Sequence, residues 1–159
     1  DRNGKVDWLN GQDDHVENLN TYSIFIEGVD TVVMGWNTYH QIITELSPKE
    51  WVYSGLASYV ITHRTPAPAE QITFTQESPC SLVRRLKQEQ GKAIWICGGA
   101  AIIQPLILED LIDEYYISII PSILGDGIRL FGKMPAEMRL NLISTQTYNG
   151  ITELVYSRR

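Results

Sequence analysis

Ile94-Trp95-Ile96-Cys97-Gly98-Gly99-Ala100-Ala101-Ile102-Ile103 carries the reading of the fold. An apolar run ends at a glycine pair, and the apolar spacing beyond it turns helical, so the segment reads as a buried strand turning into a helix. The same layout stands about sixty residues earlier, in Val32-Val33-Met34-Gly35-Trp36-Asn37-Thr38-Tyr39. The first backbone N–H groups of a helix lack an intrahelical acceptor. Together with the positive end of the helix dipole they favour an anion, which glycine allows to approach closely. Two such corners suggest a diphosphate-bearing cofactor. The bland alternative is that each glycine serves packing alone.

Moving outward, helical and strand periods alternate along the chain. Tyr22, Phe25, Ile26 and Val29 fall on one helix face ahead of a strand over 31–34, and Tyr39, Ile42, Ile43 and Leu46 repeat that face after it. Ser58 to Thr62 reads as a further strand ended by His63-Arg64-Thr65-Pro66, and Ile72 to Thr75 as a short one. Ser78-Pro79 opens a helix with Leu82, Val83 and Leu86 inward, and Gly91 is its expected stop. After Gly99 a helix turns Ile102, Ile103, Leu106 and Ile107 inward, with Pro105 kinking it or delaying its start. Tyr115 to Ile120 is rich in strand formers. Leu140 to Tyr148 and Ile151 to Ser157 flank Asn149-Gly150, the pair that most favours a two-residue hairpin turn. The expectation is an α/β three-layer sandwich whose mostly parallel central sheet finishes in an antiparallel C-terminal hairpin.

The chain has 159 residues, 43% of them hydrophobic, which fits a single domain over residues 1–159. Net charge is -6, and the 13 Lys and Arg residues are scattered, which argues against a nucleic-acid partner. No apolar stretch is long enough for a membrane helix. Cys80 and Cys97 have neither metal spacing nor a disulfide framework, which suits a reducing cytoplasm, and both read as buried thiols. His15, His40 and His63 show no ligand spacing, so no metal is expected. Ser23, Ser54 and Ser58 lack a nucleophile-elbow setting. Asp13-Asp14 with Glu17 reads as a solvated helix start, the alternative being a proton donor.

The glycine corners exclude two familiar nucleotide sites. The segment 94–103 lacks the third glycine of a dinucleotide fingerprint, and no lysine follows it as in a phosphate-loop nucleotidase. Thr62-His63-Arg64 at a strand end offers a hydroxyl, an imidazole and a guanidinium to a phosphate, with an exposed polar turn as the plain alternative.

Taken in order, Val32-Val33-Met34-Gly35 with Thr38-Tyr39, Ile96-Cys97-Gly98-Gly99-Ala100, Leu111-Ile112-Asp113-Glu114, and Ile120 through Gly125-Asp126-Gly127 to Phe131 resemble the dihydrofolate reductase superfamily. The closer likeness is to the riboflavin-biosynthesis reductase domain and small bacterial proteins near it, whose early segment Asp7-Trp8-Leu9 also matches. The resemblance implies NADPH as cofactor. Gly35, Trp36, Asn37 and Thr38 would lie beside its phosphates at the first corner, and Gly98, Gly99, Ala100, Ala101 and Ile102 would receive the pyrophosphate at the second. Thr62, His63 and Arg64 match the segment near the adenosine ribose, with Arg64 as the charge partner of a 2'-phosphate. Trp8 matches an aromatic bordering the substrate pocket. The implied reaction is hydride transfer to a small pteridine- or pyrimidine-like heterocycle, and members are commonly homodimers. A catalytically silent NADP(H)-binding protein and a domain retaining only the fold are the alternatives.

This chain departs from the family in three places. Trp36 stands where a basic residue is usual, the stretch from Tyr22 to Ile26 has no acid before Glu27, and the opening apolar strand of the relatives has no counterpart ahead of Asp1. The catalytic residue is therefore unassigned.

Overall fold

The computed structural model describes residues 1, 3–13 and 21–159. In chain order its elements are α1 (Thr21–Glu27), β1 (Val29–Gly35), α2 (Trp36–Gln41), a π-helical turn (Ile42–Leu46), β2 (Ala57–Ile61), β3 (Ile72–Thr75), α3 (Pro79–Leu86), β4 (Ala93–Gly98), α4 (Ala100–Leu108), β5 (Glu114–Ile119), β6 (Leu140–Tyr148) and β7 (Ile151–Arg158). They fall into two compact units, Tyr22–Leu111 and Asp1–Thr21 with Ile112–Arg159.

The Tyr22–Leu111 unit is built on a parallel sheet of strand order β3-β2-β1-β4. Successive side chains of β1 point to opposite faces, and both faces are covered. Val32 and Met34 are buried with Tyr39 and Ile42, while Val33 is buried against Leu82 and Leu86 of α3. Cover on both sides explains why β1 reads as a continuous apolar run rather than an alternating one. With α4 packed on α3, β4 and β1, the unit has the expected three layers.

Several boundaries differ from the sequence reading. Val29 belongs to β1, pairing with Ala93, and α1 stops at Glu27, where the Gly28 N–H donates to the Phe25 carbonyl. No residue of α1 is buried; Tyr22 and Phe25 instead meet the Trp95 ring edge-on. The helix after Tyr39 opens into a π-turn closed by the Ser47 N–H on the Ile42 carbonyl at 2.7 Å. One extra residue per turn rotates Leu46 out of the apolar face, leaving it 58% exposed. Ser78 caps α3 as expected, accepting from the Ser81 N–H at 3.2 Å, and Cys80 joins Leu82, Val83 and Leu86 on its buried face. However, α3 ends at Leu86, well before Gly91. That glycine serves a close approach instead, since a Cβ there would lie 2.6 Å from Asp30 Oδ2. Pro105 sits inside α4 without delaying its start at Ala100.

Asp30 closes the amino end of the sheet. Its carboxylate accepts from the Lys92 N–H at 2.5 Å and from the Thr31 hydroxyl at 2.8 Å, while Lys92 Nζ donates to the Glu27 carbonyl. The Lys92 amide, then the Thr31 hydroxyl, hold the carboxyl below its ordinary pKa. A depressed folded-state pKa gives stability that is present above the unfolded value and lost as pH falls through the folded one. Asp30→Ala should therefore cost about 1–2 kcal/mol at neutral pH, and the gap from wild type should narrow in urea melts below about pH 4. A gap independent of pH would refute the charged clasp.

The second unit holds an antiparallel sheet of order β5-β7-β6. β5 pairs with β7 from Glu114↔Ser157 to Ile119↔Thr152, so the antiparallel strands form a sheet of their own. Asn149 and Gly150 take φ of +47° and +75°, the pair of positive values that a type I′ hairpin requires. The Asn149 side chain also binds the early segment, accepting from the Asp13 N–H at 2.8 Å and donating to the Asp13 carbonyl at 2.9 Å. Asp14, His15 and Glu17 lie outside the described residues. Among the described residues no helix is long and apolar enough to cross a membrane, and no three His, Cys, Asp or Glu side chains converge as metal ligands.

Candidate functional site

Strand order creates a switch point between β1 and β4. The chain runs from β1 outward through β2 and β3, then returns to lay β4 on the other side of β1. α2, which follows β1, covers the Val32 and Met34 face, whereas α4, which follows β4, packs beside α3. Helices that diverge from adjacent parallel strands leave a crevice at the carboxyl edge, where open α/β sheets take their ligands.

Register places the expected residues at that edge. Gly35 pairs with Ile61 of β2 and Met34 with Gly98 of β4, so residues 35–38, 62–64 and 98–102 leave three neighbouring strands. The β1–β4 pairing slips at Cys97, which is passed over between Ile96 and Gly98. Such slips re-aim the chain at the rim of a sheet. Trp8 lies in the other unit, half-buried, its indole Nε1 donating to the Lys5 carbonyl at 2.8 Å.

The two glycine corners have different jobs. A Cβ on Gly35 would meet Ile102 Cγ1 at 3.2 Å, so this glycine lets α4 close on β1. Among the described residues Gly98, at φ +130°, has nothing within 4 Å of the missing Cβ, and Gly99 has no neighbour nearer than Thr38 Oγ1 at 3.9 Å. The second corner is therefore open at its backbone. The bond between the two residues is cis. Gly35 and Gly99 occupy the N-cap positions of α2 and α4, and neither helix start receives a side-chain cap, unlike α3. At the start of α4 the Ile102 N–H already donates to the Gly99 carbonyl at 2.9 Å, which leaves Ala100 and Ala101 as the first-turn amides facing outward. Ile102 itself is buried and supplies an apolar wall.

Beyond β2, buried Thr62 shapes the turn: its N–H donates to the Thr75 carbonyl at 2.8 Å and its hydroxyl accepts from the Arg64 N–H at 3.0 Å. His63 and Arg64 are exposed. The Arg64 guanidinium lies over the Trp36 ring, 5.1 Å from its centroid. Among the described residues it is bound to no carboxylate, whereas Arg84 pairs with Glu109, Arg85 with Glu77 and Glu89, and Arg139 with Glu137.

One pair escaped the sequence reading. The Tyr53 hydroxyl lies 3.5 Å from Cys97 Sγ, and Trp95 packs edge-on to Tyr53. Burial, then the neighbouring Cys97, push the Tyr53 phenol far above its ordinary pKa, and burial raises the Cys97 thiol, so both remain protonated at neutral pH. Tyr53 lies in the 47–56 connection, where no spacing or motif signals it.

Residues 2–153 match the family model of the RibD C-terminal domain. The chain belongs to that family. The uncharacterized protein YwjB of Bacillus subtilis (strain 168) is 37% identical over 158 residues, covering 98% of this chain and 87% of its own length. A solved structure from Shewanella sp. PV-4, provisionally assigned to riboflavin biosynthesis, aligns at a TM-score of 0.83 and 28% identity over 100% of this chain and 90% of that one. A pyrimidine reductase-like protein of Corynebacterium diphtheriae shares the fold, at a TM-score of 0.61 and 18% identity over 90% and 82% of the two chains. The RibD C-terminal domain family carries a reductase-type fold, which agrees with the resemblance read from the four motifs.

Proposed function

We propose that this member of the RibD C-terminal domain family is an NADPH-dependent reductase that acts on a small pteridine- or pyrimidine-like heterocycle. The observation that carries the reading is the switch point itself: two helix starts without side-chain caps, one opening on bare glycine backbone, beside an arginine that has no carboxylate partner among the described residues. Family membership supports it. In this reading the Ala100 and Ala101 amides and the Gly98-Gly99 backbone hold the pyrophosphate, Asn37 and Thr38 line its other side, and Arg64 pairs with the 2'-phosphate. NADPH bound there would supply a hydride. The work left to the chain is to orient, to exclude water, and to present hydrogen-bond donors, for which protonated Cys97 near the end of β4 and the protonated Tyr53 hydroxyl beside it are suited. A homodimer in the cytoplasm belongs to the same proposal.

Titration with NADPH and NADH tests it. Wild type should prefer NADPH, and Arg64→Ala should weaken NADPH binding about tenfold or more while leaving NADH unchanged, because a charge-assisted pair is lost in one complex and absent in the other. Oxidation of bound NADPH on adding oxidised pteridine or pyrimidine acceptors, which take up the hydride, completes the test. Binding without turnover for any acceptor would make the protein a silent binder, and binding of neither coenzyme would leave a domain that keeps only the fold.

A further inference from the structure

We propose that Trp36 is the positioning residue that sets coenzyme selectivity, by holding the Arg64 guanidinium against its ring. The inference deepens the NADPH reading and rests on it. Arg64 has no carboxylate to orient it, so among the described residues the contact at 5.1 Å with Trp36 is what fixes its charged end. Trp36 is in turn held from below. Its ring lies 5.4 Å from Tyr39, which is 7% exposed and packs on Phe74 and Trp51 at 5.3 and 5.8 Å. The position of an exposed cation is thus tied through two aromatic rings to the core of the sheet.

A guanidinium stacked on a ring spends its face and keeps its edge. Its N–H donors lie in the guanidinium plane, so a cation held over the ring by its charge can still offer its planar fork for two parallel bonds to a phosphate monoester. Arg85 shows the opposite arrangement. It too approaches a ring, 5.9 Å from the Tyr59 centroid, but its donors are consumed by Glu77 and Glu89. The chemistry at Trp36 and Arg64 is therefore that of a dianion receptor that no carboxylate among the described residues fills. The positive charge comes from the end of β2, and the residue after Gly35 contributes the platform.

Trp36→Leu, Trp36→Phe and Arg64→Lys should be compared with wild type for binding of NADPH, NADH, 2',5'-ADP and 5'-AMP, with circular dichroism as the check on folding. Trp36→Leu should reduce the preference for the 2'-phosphorylated ligand about threefold to tenfold, the range of a lost stack at a partly exposed site, with little change for NADH or 5'-AMP. Trp36→Phe should retain most of the preference, and Arg64→Lys, which keeps the charge without the planar fork, should lose as much as Trp36→Leu. In the Arg64→Ala background Trp36→Leu should have no further effect on the ratio. Equal losses for both ligand types, or an effect that persists without Arg64, would overturn the proposal while the NADPH reading stands. A wild type indifferent to the 2'-phosphate would bring down both.

Discussion

Ala101→Asp is expected to raise folding stability by about 0.5 kcal/mol and to lower NADPH affinity on the order of 100-fold, two effects of opposite sign from one carboxylate. Ala101 is the second residue of α4 and is exposed, so the substitution meets no packing constraint. Gly99 offers no side chain to the first-turn amides, and an aspartate there would satisfy the positive helix end from within. A diphosphate approaching the same amides would then meet a like charge. Ala101→Asn, similar in shape and uncharged, should bind within about threefold of wild type, because what it adds is a dipole in place of a full charge. Since the site is open to water, the penalty in Ala101→Asp should shrink as salt is raised from low to physiological strength. Isothermal titration beside thermal melts reads both signs at once. A variant that is more stable and binds NADPH as wild type does would show that the amides of α4 do not hold the pyrophosphate.

Much of this arrangement was legible because it follows from local chemistry. Ser78-Pro79 carries its own capping geometry, Asn149-Gly150 accepts positive φ at little cost, and a double glycine after an apolar strand marks a corner whatever surrounds it. Parallel strands with both faces covered declared themselves as unbroken apolar runs. The misreadings came where a contact distant in sequence outweighed the local pattern. Val29 has helical spacing from Tyr22, but Ala93 offers it a strand partner. Gly91 resembles a helix stop, yet what demands glycine there is Asp30, some sixty residues away. Leu46 lost its place on the apolar face because one π-turn shifts the phase of everything after it.

At the site, residue identity was easier to read than role. The three segments at the carboxyl edge were recognisable singly, and the strand order that makes them neighbours came from the sheet. In the sequence Trp36 is a departure from the basic residue usual at its position, with stacking as its alternative role. Once Arg64 is seen above its ring, the same tryptophan is a support for a charge delivered by another strand. The two glycine corners, alike on paper, also separated in space, one filled by Ile102 and the other open.

That separation makes Gly35→Val a sharper probe of the fold than of the ligand. The backbone at Gly35, with φ -87° and ψ 165°, is extended and admits any residue, so the variant carries no conformational strain. Its cost is steric. The first added carbon would stand 3.2 Å from Ile102 Cγ1 and 3.5 Å from Cδ1, and the branched methyls have to displace a buried side chain on α4. Overpacking of this kind costs about 2–3 kcal/mol, which should lower the melting temperature by roughly 5–10 °C in a chain of this size. Ile102→Ala alone should also destabilise, by about 2–4 kcal/mol, through the cavity it leaves. Combined, the two should cost clearly less than their sum, because the valine methyls occupy the volume vacated by the isoleucine, and residues in direct contact couple. Strict additivity in denaturant melts would mean that Gly35 and Ile102 do not share that space, and the closure of α4 on β1 would need another cause.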